Sequence, residues 1–164
     1  MTSVIGFPAV VNEKAARTVA AGVVLIAGTA LATGWLWLSV LLALGFALRV
    51  ASGPRLSPLG RLAAHVVAPR LGHPRMVSGA PKRFAQGVGL VFTVGASVAW
   101  ALGAPVVAVV LLSVLTLFAA LEAGLGFCAG CYVFGHLMRW GVVSDDTCVE
   151  CADISLRRRQ PANA

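Results

Sequence analysis

Two long apolar blocks dominate the hydrophobic pattern. Residues 18–48 carry no charged side chain, and residues 84–126 carry only Glu122. Read as one straight helix, the first block would be roughly 46 Å long at 1.5 Å per residue, well beyond a hydrocarbon core of ~30 Å. Thr33-Gly34 near its middle is the natural break, giving helices at 14–32 and 35–51. Gly103-Ala104-Pro105 divides the second block, with Gly103 suited to the turn and Pro105 to the first turn of a new helix, giving helices at 83–102 and 105–125. The pattern predicts an all-α membrane protein with four transmembrane helices arranged as two hairpins. Trp35 and Trp37 fall where the first hairpin turns, a place where indoles favour the membrane interface.

Between the blocks the chain carries Arg49, Arg55, Arg61, Arg70, Arg75, Lys82 and Arg83 and no acid. A short loop of this charge is expected in the cytoplasm by the positive-inside rule. Lys14, Arg17 and Arg157 to Arg159 fall on the same side of a four-pass arrangement, so both termini are expected in the cytoplasm. Arg17 and Arg49 lie near that face, where long basic side chains can reach headgroup water. Within the loop, Ser57-Pro58 offers an N-cap followed by proline at the first helical position. Leu59, Leu62 and Val66 then recur at helical spacing opposite Arg61 and His65, and Pro69 is expected to end the segment. This is the pattern of a basic amphipathic helix in the headgroup layer.

Composition supports the bilayer as solvent. Hydrophobic residues make up 59% of the 164-residue chain and charged ones 12%, where a soluble domain carries about a quarter. Mean hydropathy is +0.88. A formal charge of +7 would raise nucleic-acid binding in a soluble protein, but here the cations flank apolar runs and orient the chain, so no nucleic-acid partner is expected. Glu13 ahead of the first apolar run, with no short apolar core leading to a cleavage site, argues against a cleavable signal.

The chemistry-bearing residues gather near the C-terminus. Cys128-Ala-Gly-Cys131 follows the fourth helix, and Cys148-Val-Glu-Cys151 lies in the polar tail. A helix starting near Gly126 would put Cys128 in its first turn, where unpaired N–H groups favour the thiolate. Three readings are open. In the first, Cys128 attacks disulfides or accepts sulfur and Cys131 resolves. In the second, Cys128, Cys131, Cys148 and Cys151 bind a structural zinc ion, with positions 132–147 between the pairs matching the spacing of such sites. In the third, the small apolar thiols only pack. A permanent disulfide is not expected on a reducing cytosolic face. Asp145, Asp146, Glu150 and Asp153 surround the second pair and disfavour its thiolates. Glu122 is the only acid inside an expected span, within two turns of Cys128, and can take a thiol proton, pair with an arginine or, near the inner end of its helix, simply reach headgroup water. His136 follows as a further proton carrier or metal ligand, or as an ordinary surface histidine beside Arg139 and Trp140. No phosphate loop, Ser/His/Asp set or HExxH motif occurs.

Four stretches in order, Gly53-Pro54-Arg55-Leu56-Ser57-Pro58-Leu59-Gly60-Arg61, Ala68-Pro69-Arg70-Leu71-Gly72, Pro81-Lys82-Arg83-Phe84-Ala85-Gln86 and Gly126-Phe127-Cys128-Ala129-Gly130-Cys131, resemble the bacterial membrane family known as domain of unknown function 4395. The resemblance spans about residues 12–140. It implies a multi-helix protein of the bacterial inner membrane with no established activity. An association of the family with thioredoxin-like and sulfurtransferase genes implies thiol or sulfur handling with such a cytoplasmic partner, carried by Cys128 and Cys131, rather than zinc binding. The runner-up is a non-enzymatic scaffold or small transporter with a four-Cys zinc site. The expected division is an N-terminal segment (1–13), a first hairpin (14–51), a basic loop (52–82), a second hairpin (83–125), a CxxC-bearing juxtamembrane helix (126–141) and a tail (142–164).

This topology predicts that a reporter joined after Arg61 stays on the cytoplasmic side of the membrane. Appearance of that reporter outside the cell would rule the four-pass arrangement out.

Overall fold

The computed structural model describes residues 10–141. It is mostly helical, and its helices follow from the capping chemistry at each break. Helix α1 (Glu13–Thr33) starts at Asn12, whose side chain accepts from the Lys14 N–H at 3.0 Å, and stops at Gly34, whose φ of 75° a residue with a Cβ rarely adopts. After the Trp35-Leu36-Trp37 turn, α2 spans Leu38–Ser52. Segment Pro58–Leu62 (α3) is capped by Ser57, continues through a π-helical turn at Ala63–Val67, and ends as α4 (Ala68–Arg70). Helices α5 (Gly79–Ala101), α6 (Pro105–Leu125) and α7 (Ala129–Arg139) follow.

Helices α1, α5 and α6 are long and apolar enough to cross a membrane, and α2 is a shorter apolar helix of 15 residues. Their packing is not that of two independent hairpins. Helix α1 packs most extensively on α6 and α2 on α5, while α1 and α2 meet only lightly and α5 packs on α6. Alanine explains the close approach. Ala27, Ala30, Ala96 and Ala108 are fully buried at the crossings, with Leu112, Leu42 and Phe46 filling the space between. Hydroxyls add a polar contact, with Ser97 Oγ 2.9 Å from Ser39 Oγ across α5 and α2. Leu25, Val91, Leu102, Val106, Leu117 and Leu125 stay exposed on the outer faces.

All four helices alternate in direction, so the start of α1, the end of α2, the start of α5 and the end of α6 share one end of the bundle. Arg17 reaches from α1 to the last carbonyls of α6, at 3.0 Å from Ala123 O and 2.7 Å from Gly124 O. Arg49 reaches from α2 to Gln86 of α5, at 2.8 Å. The sequence reading had both arginines snorkelling outward. Instead Arg17 caps orphan carbonyls and Arg49 is 4% exposed, because neighbouring helices offer acceptors closer than water.

Other differences have local causes. A small antiparallel ribbon, β1 (Val10–Asn12) against β2 (Met76–Ser78), stands beside the helices and was not expected in an all-α chain. It ties the approach to α1 to the approach to α5, and Glu13 N–H donates to Arg75 O at 2.8 Å. Proline 69 does not end its helix. The Ala68 N–H reaches five residues back to Ala63 O, and this widened turn admits Pro69, which has no N–H to give. The inward residues here are Ala63 and Ala68 with Leu59, and Leu62 and Val66 face outward. Helix α5 begins at Gly79, four residues before the expected start, because Pro81 falls in a first turn whose N–H groups have no intrahelical partner.

Helix α7 returns across the open end and lays Phe134 and Met138 against Ala80 and Phe84 of α5. Gly130 permits this, since a Cβ there would sit 2.7 Å from the Ala85 Cα. Gly130→Ala should therefore lower stability by about 1–3 kcal/mol, the cost of overpacking a tight contact. Gly28→Ala, which meets nothing within 4 Å, should not. Thermal midpoints of the two variants in detergent test this, and equal midpoints would contradict the packing.

Candidate functional site

At the end where the helix termini converge, α6 stops at Gly126 in the left-handed conformation, with φ 70°. Phe127 and Cys128 form an extended link, and α7 begins at Ala129 with Cys128 at its N-cap. Gly126 thus closes the fourth long helix rather than opening the next, and Cys128 stands one residue ahead of the first turn in which the sequence placed it. Cys131 occupies that first turn, and both thiols are free and half-buried.

Beneath the pair lies an ion pair that joins α5 to α6. Lys82 Nζ is 2.6 Å from Glu122 Oε1, with the two side chains 10% and 16% exposed. The sequence reading counted Lys82 among the solvated cations of the basic loop and looked for an arginine partner for Glu122. The earlier start of α5 carries Lys82 inward instead. The signal was available: only two acids, Glu13 and Glu122, occur within residues 10–141, and a buried carboxylate requires a partner. Glu13 has one too, with Arg75 Nε at 3.1 Å from its Oε2, in charge contact but not aligned for a hydrogen bond.

The thiols differ from each other. The Cys131 thiol donates a hydrogen bond to Cys128, and this is the main force holding Cys128 below the ordinary thiol range; the Lys82 ammonium and the Cys131 backbone N–H act in the same direction, against burial and the Glu122 charge. The same hydrogen bond, with burial, pushes Cys131 well above that range. Cys128 is therefore the more readily ionised thiol of the two.

The thiols open onto a cavity of about 260 Å³ lined also by Glu13, Lys82, Tyr132, His136 and Arg139. His136 lies neither isolated nor on a bare surface: it is half-buried, with the Tyr132 ring edge-on at 4.6 Å and Trp140 at 6.2 Å. Among the described residues no group of three or more His, Cys, Asp or Glu side chains is placed to hold a metal ion. Cys148 and Cys151, the other half of the four-Cys zinc reading, lie outside the described residues.

Two of the electrostatic effects on Cys128 have opposite signs and can be separated. Its thiolate forms at lower pH than an ordinary thiol's, so alkylation should show a depressed pH midpoint. Cys131→Ala, removing the principal donor, should raise that midpoint most. Lys82→Met should raise it and Glu122→Gln should lower it. A Cys128 midpoint equal to that of a free thiol in the parent protein would refute the assignment.

The family described as Domain of unknown function (DUF4395) matches residues 11–139. The chain therefore belongs to that family. No curated protein and no solved structure matches it.

Proposed function

We propose that this DUF4395 member is a bacterial inner-membrane protein that performs thiol–disulfide exchange at the cytoplasmic face, with Cys128 as attacking thiol and Cys131 as resolving thiol. The observation that carries this is the placement of two free thiols, Cys128 at the N-cap of α7 and Cys131 in its first turn, on one cavity beside the buried Lys82–Glu122 pair. It sets the more readily ionised thiol, Cys128, where a partner can reach it, with the less acidic Cys131 beside it.

In the forward step the Cys128 thiolate attacks a disulfide of the partner, forming a mixed disulfide and releasing a partner thiolate. Cys131 then attacks the Cys128 sulfur, its proton passing to the departing partner thiolate, and the Cys128–Cys131 disulfide forms. The step runs backward by the same path. A persulfide-carrying sulfurtransferase would meet the same thiolate, which accepts its outer sulfur. The cavity that holds the pair carries Glu13, Lys82 and Arg139 in its lining and is open enough for a protruding active-site loop, which suits a thioredoxin-like partner.

Membrane insertion is supported by three helices of spanning length and by the apolar outer faces of the bundle. In this reading α2 is the fourth crossing. Its 15 residues give roughly 22 Å, a mismatch the bilayer meets by local thinning, with exposed Trp35 and Trp37 at the far interface. Exposed Arg55, Arg61, Arg70 and Arg75 then face the cytoplasm together with the thiols, and α3, the π turn and α4 lie along the headgroup layer.

Incubation of the Cys131→Ser protein with an oxidised thioredoxin-like protein should accumulate a mixed disulfide on Cys128, and Cys128→Ser should abolish it. Absence of any adduct with either a thioredoxin-like or a persulfidated sulfurtransferase partner would reject this function. Metal analysis decides the zinc alternative: about one zinc per chain, as a structural site holds, lost on Cys148→Ser, would replace the redox reading with a structural one.

A further inference from the structure

A second cavity of about 320 Å³ lies between α1, α5, α6 and α7, within the lower range of small-molecule sites at roughly 300–1,000 Å³. Its wall is apolar and rich in rings, with Phe46, Phe84, Phe92 and Phe118, and it meets the polar cavity at one residue with chemistry, Cys128, which lines both. The ion pair straddles the same boundary: Lys82 lines the polar cavity and Glu122 the apolar one. A thiol between a cavity lined by charged side chains and an apolar one can pass electrons from a soluble partner to a membrane-dissolved one.

The apolar cavity also contains one oriented amide. Arg49 Nε donates to Gln86 Oε1 at 2.8 Å, and because a guanidinium has no acceptor this fixes which end of the amide it holds. Gln86 lines the cavity with its oxygen engaged, so the group it can offer there is its NH2 donor. Arg49 is itself held by Ser57 Oγ at 3.2 Å and by the Phe46 ring at 4.4 Å, so the donor is backed by a fixed cation. The ligand that fits is flat, apolar, carries a carbonyl oxygen to accept from Gln86, and reacts with a thiolate.

We propose that the apolar cavity takes the ring of a membrane quinone, which accepts the electrons of the Cys128–Cys131 pair. This rests on the thiol-exchange reading and names its electron acceptor. The Cys128 thiolate adds to the quinone ring, forming a C–S bond. Cys131 attacks the Cys128 sulfur, the C–S bond breaks with its electron pair left on the ring, and the disulfide forms. The dithiol loses two electrons and the quinone gains two. Of the two protons on the quinol, one comes from Cys131 and one from water by way of the Lys82–Glu122 pair. A partner dithiol then reduces the disulfide and is itself oxidised.

The test uses the full chain, reduced and reconstituted in lipid nanodiscs without oxygen, with a decyl-tailed benzoquinone as probe. Quinone absorbance should fall as the Cys128–Cys131 disulfide appears by mass spectrometry. Gln86→Glu keeps an acceptor for Arg49 but removes the amide donor, and should raise the half-saturating quinone concentration about tenfold, the loss of one hydrogen bond. Ala119→Phe, which fills the apolar cavity alone, should do the same, with both variants, in the reduced form, still exchanging with a disulfide peptide. If the pair exchanges with that peptide but leaves the quinone oxidised, the quinone proposal falls and the thiol function stands. If it does neither, both fall. A thioester on Cys128 after incubation with an acyl donor, with no quinone reduced, would overturn the proposal in favour of an acyl ligand.

Discussion

The Lys82–Glu122 pair organises the end of the bundle where the chemistry lies. A carboxylate near the last turns of an otherwise apolar helix is costly to bury alone, and so is a lysine in the first turn of the next-packed helix. At 2.6 Å each removes the other's penalty, and the start of α5 is thereby fixed against the end of α6. The link from Gly126 to Cys128 leaves α6 just beyond this junction, and α7 rests on α5 just above it. The positions of both thiols follow from where these two helix ends meet. An ammonium and a carboxylate so close act on Cys128 in opposite directions and largely offset each other.

The other cations at this end solve the same problem differently. Arg17 has no ion-pair partner among the described residues and satisfies the end of α6, whose last carbonyls lack intrahelical donors. Arg49 is buried without a carboxylate and lies in the last turn of α2, where the helix dipole favours a cation. It is shared among an amide, a hydroxyl and a ring face, and one of its terminal nitrogens has no partner. A guanidinium can be divided in this way because its charge is spread over a planar fork, and an ammonium cannot. This accounts for lysine at the ion pair and arginine at the two shared sites.

Much of the architecture was legible because breaks in apolar runs are written in glycine and proline. The boundaries at Gly34, Gly103 and Pro105 came directly from residues whose backbone preferences are absolute or nearly so, and the fourth helix matches its expected span of 105–125. The pairing of helices was not legible, since Ala27, Ala30, Ala96 and Ala108 look alike in a linear pattern and only their spatial coincidence makes α1 choose α6. The cysteine pair was found as a motif, but its setting was hidden behind Pro81. A proline before a basic dipeptide reads as a loop, yet in a first turn it costs nothing, and the helix starts early enough to bury Lys82. The short β ribbon left no trace, because three residues of Val-Val-Asn or Met-Val-Ser carry no period to detect.

The Cys-Ala-Gly-Cys spacing is then constrained twice over. Chemistry asks that the two sulfurs meet, which two intervening residues at a helix start provide. Packing asks something separate of the second intervening position, where α7 approaches the Ala85 backbone too closely for a side chain. A residue with a Cβ there would push the helix away from α5 and carry Cys131 with it. Gly130 therefore couples the tilt of this helix to the position of a thiol. The motif in this chain is a helix-packing element and, in the function proposed for it, a redox element in the same four residues.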